Sequence, residues 1–213
     1  MTDKDLKRLC YHLNQLSAEE LRRLENANLI PSLRLRWETE HQAVIGDIRS
    51  ALEASDSRKQ RLQHLASLYC WLIPQNRLRS WFLYRLESIA VVTQDFTIHK
   101  RMAGLMSTRS SDTAAVYMSS ESGRYASIVT TDPESGTQEH SVLCLYIWDK
   151  LPYLAVCISG LLNLTHFKYF LTATLLRDHE ELLVGFYADF DSAFVAACND
   201  VLFERQVYRP HHA

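Results

Sequence analysis

Residues 142–160 read VLCLYIWDKLPYLAVCISG, the most apolar stretch of the chain. Three readings are open: a membrane span, the core of a sheet, or a site built on Cys144 and Cys157. A span needs about 20 uninterrupted apolar residues. Asp149, Lys150 and Pro152 break this stretch in its middle, where a charge pair and a proline would be costly in hydrocarbon. The same residues are good turn formers. The stretch therefore reads as a β-hairpin with arms at 142–148 and 153–158. Neither arm alternates cleanly between apolar and polar, so both strands belong in the middle of a sheet, covered by helices. Cys144 and Cys157 could then face each other across the hairpin, as small core residues or as a redox pair.

Working outward, AAVYM at 114–118 and YASIVTT at 125–131 are rich in β-formers and separated by a polar turn, a second hairpin. DPESGTQE at 132–139 reads as a polar loop. After the central hairpin, LTHFKYFLTATLL reads as a helix capped by Asn163, LLVGFYA at 182–188 as a fifth strand, and DSAFVAACNDVLF as a last helix. FTIHKRMAGLM, capped by Asp95, precedes the first strand as a helix.

The first ninety residues read as a helical bundle. Leu6, Leu9, Leu13 and Leu16 repeat at spacings of three and four. Ser17 with Glu20 forms a capping box for a helix carrying Leu21 and Leu24 inward and Arg22 and Arg23 outward. Further helices are expected from about Glu38 to Ala54 and from Arg58 to Leu72, stopped by Pro74. NRLRSWFLYRLESI then reads as another helix. Small bundles of this pattern include the death-fold domains, among others. The expected fold class is thus α+β: a death-fold-like (pyrin-like) helical bundle at 1–90, then a mixed α+β domain at 95–208 with a central sheet of about five strands. The boundary falls near residues 88–95.

The 213 residues suffice for a sizeable core, and 47% hydrophobic and 23% charged residues make an ordinary globular balance. Five cysteines without a C-x-x-C pair read as buried free thiols in a reducing compartment. The charged N-terminus does not read as a signal peptide. The net charge of −2 hides an asymmetry. Met1 to Ser110 carry 17 Lys and Arg against 12 Asp and Glu; Ser111 to Ala213 carry 6 against 13. A basic half can bring a chain to an anionic partner; solvated helices rich in Lys and Arg give the same count.

No catalytic signature is present: no glycine-rich phosphate loop, no G-x-S-x-G, no H-E-x-x-H. Catalytic residues, cofactors and metal ligands are therefore all called as none. His64 reads as a partner-bonded boundary histidine, RDHEE at 177–181 as a solvated turn, and His211 with His212 as an exposed tail. Lys7 with Arg8, Arg22 with Arg23, Arg58 to Arg61, and Lys100 with Arg101 could neutralise phosphates without reading sequence, and the first, second and last of these are the candidate binding residues.

The order of these elements resembles the N-terminal region of the centromere protein N family. The matching stretches are LKRL at 6–9, FTIHKRMAGLM, LYIWDKLPYLAV with its Pro-Tyr turn, HFKYFLTATLL and LLVGFYADFDSAFVAA. The resemblance implies a pyrin-like domain followed by an α+β domain, and a non-enzymatic nuclear protein of the centromere and kinetochore. It implies centromeric nucleosomes or DNA, and other kinetochore proteins, as partners, with no membrane and no small-molecule substrate. Lys7 and Arg8 carry over from the family's first helix. Where the family has arginines after the hairpin and ahead of the last helix, this chain has SGLLNL and FYADFD, so contact is expected through the helical half. The alternatives are a death-fold-type adaptor without nucleic-acid binding, in nucleus or cytoplasm, and an enzyme with an uncatalogued site in the α+β half.

Overall fold

The computed structural model describes residues 3–31, 33–36, 41–86, 98–107, 111–131, 140–159, 164–175 and 182–207. In chain order these form α1 (Asp3–Leu13), α2 (Ala18–Asn26), α3 (His41–Glu53), α4 (Arg58–Leu72), β1 (Arg79–Arg85) and α5 (Ile98–Met106). There follow β2 (Thr113–Ser119), β3 (Gly123–Thr131), β4 (His140–Trp148), β5 (Tyr153–Ser159), α6 (Leu164–Leu175), β6 (Leu183–Asp189) and α7 (Phe190–Val207). The protein is mixed α+β, with seven helices among the described residues around one six-stranded sheet. The strand order is β2-β3-β4-β5-β1-β6, and every neighbouring pair is antiparallel.

All five expected strands form, and the opening hairpin is β4 and β5, third and fourth in the sheet. Every residue of β4 is buried. Even-numbered residues of β4 (Val142, Cys144, Tyr146, Trp148) face one core; odd-numbered ones (Leu143, Leu145, Ile147) face the other. That is why the arm shows no polar alternation. The turn is fixed at both ends: Asp149 N–H donates to Ser122 O at 3.3 Å, Leu86 N–H donates to Pro152 O at 2.7 Å, and Tyr153 Oη donates to Asp200 of α7.

One correction concerns the helical half. The stretch expected to be its last helix is β1, lying between β5 and β6. Leu78, Phe82 and Leu86 fall four apart, as on a helix, yet Trp81 and Leu83 face one core while Phe82 and Tyr84 face the other. A short run buried on both sides looks alike for strand and helix by periodicity alone. The N-terminal segment thus holds four helices among the described residues, and the sheet six strands rather than about five. The boundary expected at 88–95, the Asp95 and Asn163 caps and the 132–139 loop lie outside the described residues.

The helices cover both faces. On one face, α4 lies on β2, β3 and β4, with α1, α2 and α3 contributing to the same core, and α7 covers β1 through Ala193 and Ala197. On the other face, α5 (Met102, Met106) and α6 (Phe167, Leu171) cover Leu145, Leu154 and Val156. Burying each such side chain is worth about 1.5–3 kcal/mol. The N-terminal helices start as expected. Ser17 Oγ accepts from Glu20 N–H while Glu20 Oε2 accepts from Ser17 N–H, and Ser57 Oγ caps α4.

Because β5 and β6 both run antiparallel to β1, they are parallel to each other. The chain between them passes through α6, making a split β-α-β unit with β1 in the gap. Asn76, in a left-handed turn (φ 53°), ties this gap to α7. Its Oδ1 accepts from Phe190 N–H at 3.2 Å and its Nδ2 donates to Asp191 Oδ2 at 2.5 Å.

Candidate functional site

The six basic residues do not form one patch. Lys7 and Arg8 lie on α1 and Arg22 and Arg23 on α2, both packed on the face that α4 covers. Lys100 and Arg101 lie on α5, on the opposite face of the sheet. Their surroundings also differ. Arg8 is only 23% exposed and stands 4.0 Å from Asp5. Asp5 is itself buried, accepting from His140 N–H at 3.1 Å and pairing with His140 Nδ1 at 2.9 Å. Arg8 therefore helps hold α1 to the start of β4. Arg23 pairs with Glu19 at 2.6 Å one turn away. Lys7, Lys100 and Arg101 are exposed, with no acidic partner among the described residues.

A second surface is apolar. β6 is an edge strand, and Leu183, Val184 and Phe186 are exposed on it. On α7, Ala193 and Ala197 face the core, while Val195, Leu202 and Phe203 point outward, Phe203 at 66% exposure. Edge strands usually carry lysine, proline or a strong bulge that blocks further pairing. LVGFYAD has no lysine or proline, and its single register shift lies beside Leu83 and Tyr84. Exposed apolar patches of this kind mark interaction sites. The α7 stripe could have been read from the sequence, since Phe194, Val195, Leu202 and Phe203 outnumber what one buried face needs.

The thiols are quiet. All five cysteines are free, and Cys144 and Cys157 are direct register partners across β4 and β5. Burial pushes the Cys157 thiol up to about 12 and Cys144 well above its ordinary value, so neither supplies thiolate at neutral pH. Among the described residues no group of His, Cys, Asp and Glu is placed to hold a metal ion, and no helix is long and apolar enough to cross a membrane. His64 is buried on α4 rather than lying at the surface or boundary, though the expected partner is present: it shares a hydrogen with Ser55 Oγ at 3.1 Å. Residues 177–181 and 211–212 lie outside the described residues.

One pocket escaped the sequence reading. Where β1 begins and β5 ends, His12 of α1 and Tyr69 of α4 meet over Cys144 and Cys157, around a cavity of about 180 Å³. His12 Nδ1 donates to Arg77 O at 2.9 Å. Burial, the largest effect, draws its pKa below the ordinary 6.5, so the ring is neutral. Its signal was in the sequence: His12 lies three residues after Leu9, on the buried stripe of α1.

No protein-family model matches the chain, and no curated protein matches it.

Proposed function

We propose that this chain is a non-enzymatic binding protein of the centromere protein N type. In this reading it contacts a centromeric nucleosome or its DNA through basic side chains of the helices, in the nucleus, and assembles with other kinetochore proteins. The helical layer α1 to α4 takes the place of that family's pyrin-like domain. The observation that carries the reading is the set Lys7, Lys100 and Arg101, which stand exposed without an acidic partner among the described residues. Such side chains neutralise phosphates and release counterions. Arg8 and Arg23, already engaged with Asp5 and Glu19, contribute less.

The test is binding to mononucleosomes and to free duplex DNA across a salt series. Phosphate contact makes log K fall with log salt, and each contact removed lowers the slope by about one. Lys7→Ala is the cleaner probe on α1, because Arg8→Ala also disturbs the buried Asp5–His140 pair. Lys100→Ala with Arg101→Ala probes the opposite face, and only the set on the contacting face should change the slope. No binding to either substrate at low salt overturns the reading.

The bare surface of β6 and α7 favours a second reading, a protein–protein adaptor without nucleic acid. It predicts association with a protein partner that persists at high salt and is weakened by Phe186→Ser or Phe203→Ser.

A further inference from the structure

The cavity at the junction of α1, α4, β1 and β5 has a floor and a rim of different character. The floor is buried: His12, Tyr69, Leu78, Val142 and the two thiols. The rim is formed by exposed Arg79 and Ser80 and half-buried Ser159. Arg79 is already paired with Asp189 at 3.4 Å, so the rim offers little net charge. Ser80 has φ 70°, a left-handed conformation that a non-glycine residue adopts at some expense. Such residues cluster at ligand sites.

Two polar groups stand on the floor. Because the Arg77 carbonyl can only accept, His12 Nδ1 carries the ring proton, and Nε2 of the neutral ring is a lone pair seeking a donor. Tyr69 Oη has no hydrogen-bond partner among the described residues. Both residues are more than nine-tenths buried, and their rings stand edge to face at 6.2 Å. Leu78, Val142, Cys144 and Cys157 make the remaining wall apolar. A dry apolar cavity of about 150 Å³ already accepts benzene. The space therefore fits one six-membered ring, with its polar end directed at His12 and Tyr69.

We propose that this cavity binds a small neutral ring bearing a hydroxyl, a phenol-class group that donates to His12 Nε2 and accepts from Tyr69 Oη. The ring lies against Val142 and the Cys144 and Cys157 sulfurs, a favourable sulfur–aromatic contact. A free phenol and the tyrosine side chain of a partner present the same chemistry. This proposal stands independently of the nucleic-acid reading.

The probe is p-cresol, titrated into the intact protein and followed by heteronuclear NMR. Saturable shifts at His12, Tyr69 and Cys144 are expected. Toluene, which lacks the hydroxyl and so both hydrogen bonds, should bind about ten- to a hundredfold more weakly. Tyr69→Phe removes a hydroxyl that no described residue uses, so the melting temperature should hold while p-cresol affinity falls several-fold. Cys157→Met fills the cavity and should abolish binding in protein that still melts cooperatively. N-acetyl-tyrosinamide separates the sources: binding like p-cresol assigns the site to a partner's tyrosine, and its exclusion assigns it to a free phenol. Absence of p-cresol binding at millimolar concentration overturns the proposal. So does equal affinity for toluene, or a p-cresol-soaked crystal with only water in the cavity.

Discussion

Strands β5 and β6 flank the same strand, β1, on its two sides, and both run antiparallel to it. Their sequences, YLAVCIS and LVGFYAD, are about equally apolar. The first is sealed: Tyr153 to Val156 are all fully buried. The second is bare, with Phe186 60% exposed. Composition makes both segments strands, but neighbours decide what each strand is for. β5 has β4 on its other side and helices on both faces; among the described residues β6 has no further strand beside it, and α7 packs against it. An apolar strand in the middle of a sheet is explained by stability. The same residues at an edge need another reason, and recognition is one.

The largest expected effect sharpens that contrast. Leu154→Ala on β5 should remove about 2–5 kcal/mol of unfolding free energy, while Phe186→Ala on β6 should stay within about 0.5 kcal/mol. Urea denaturation of the two variants checks both; equal losses would break the comparison. Next comes the clamp that holds the end of β6. Asn76→Ala loses both hydrogen bonds to the start of α7 and places alanine in a left-handed turn. A loss of about 1–2 kcal/mol is expected, with hydrogen exchange quickening in β6 before β5.

A third test reads pH. His12, over the C-terminal end of β5, and His64 are both held below the ordinary 6.5, in each case chiefly by burial. Unfolding restores the ordinary value. As the pH falls through 6.5, the unfolded chain takes up protons that the folded chain refuses, so stability drops and then levels off below the folded pKa values. The melting temperature should therefore fall between about pH 7 and pH 5, and His12→Asn should flatten part of that slope. The smallest effect belongs to the surface pair joining β1 to β6. Arg79→Ala removes the half-exposed ion pair with Asp189 and should change stability by less than about 1 kcal/mol, with the difference shrinking further in high salt.

Much of this fold was legible in local patterns. The leucine spacing of α1, the Ser17–Glu20 box and the Asp149 to Pro152 turn each act within a few residues, and each forms as expected. β1 was not legible, because its character comes from two cores supplied by distant segments rather than from its own periodicity. The same holds for the pocket. His12, Tyr69 and Cys157 are far apart in the chain, and only the folding of α1 and α4 onto the sheet brings them together. Basic pairs were visible one by one, but their division between two faces of the sheet depended on where α5 lands.

The position of β1 also sets an order in time. On a ribosome adding roughly 5–20 residues per second, about 5–20 s separate the end of β1 from the end of β6. For most of that interval Trp81, Phe82, Leu83 and Tyr84 have been made while neither flanking strand has; β5 is complete at Ser159 and β6 only at Asp189. The nascent chain thus carries this aromatic strand with no partner until β5 emerges and with one edge open until β6 does, and it is over this segment that a chaperone would find its longest opportunity to bind.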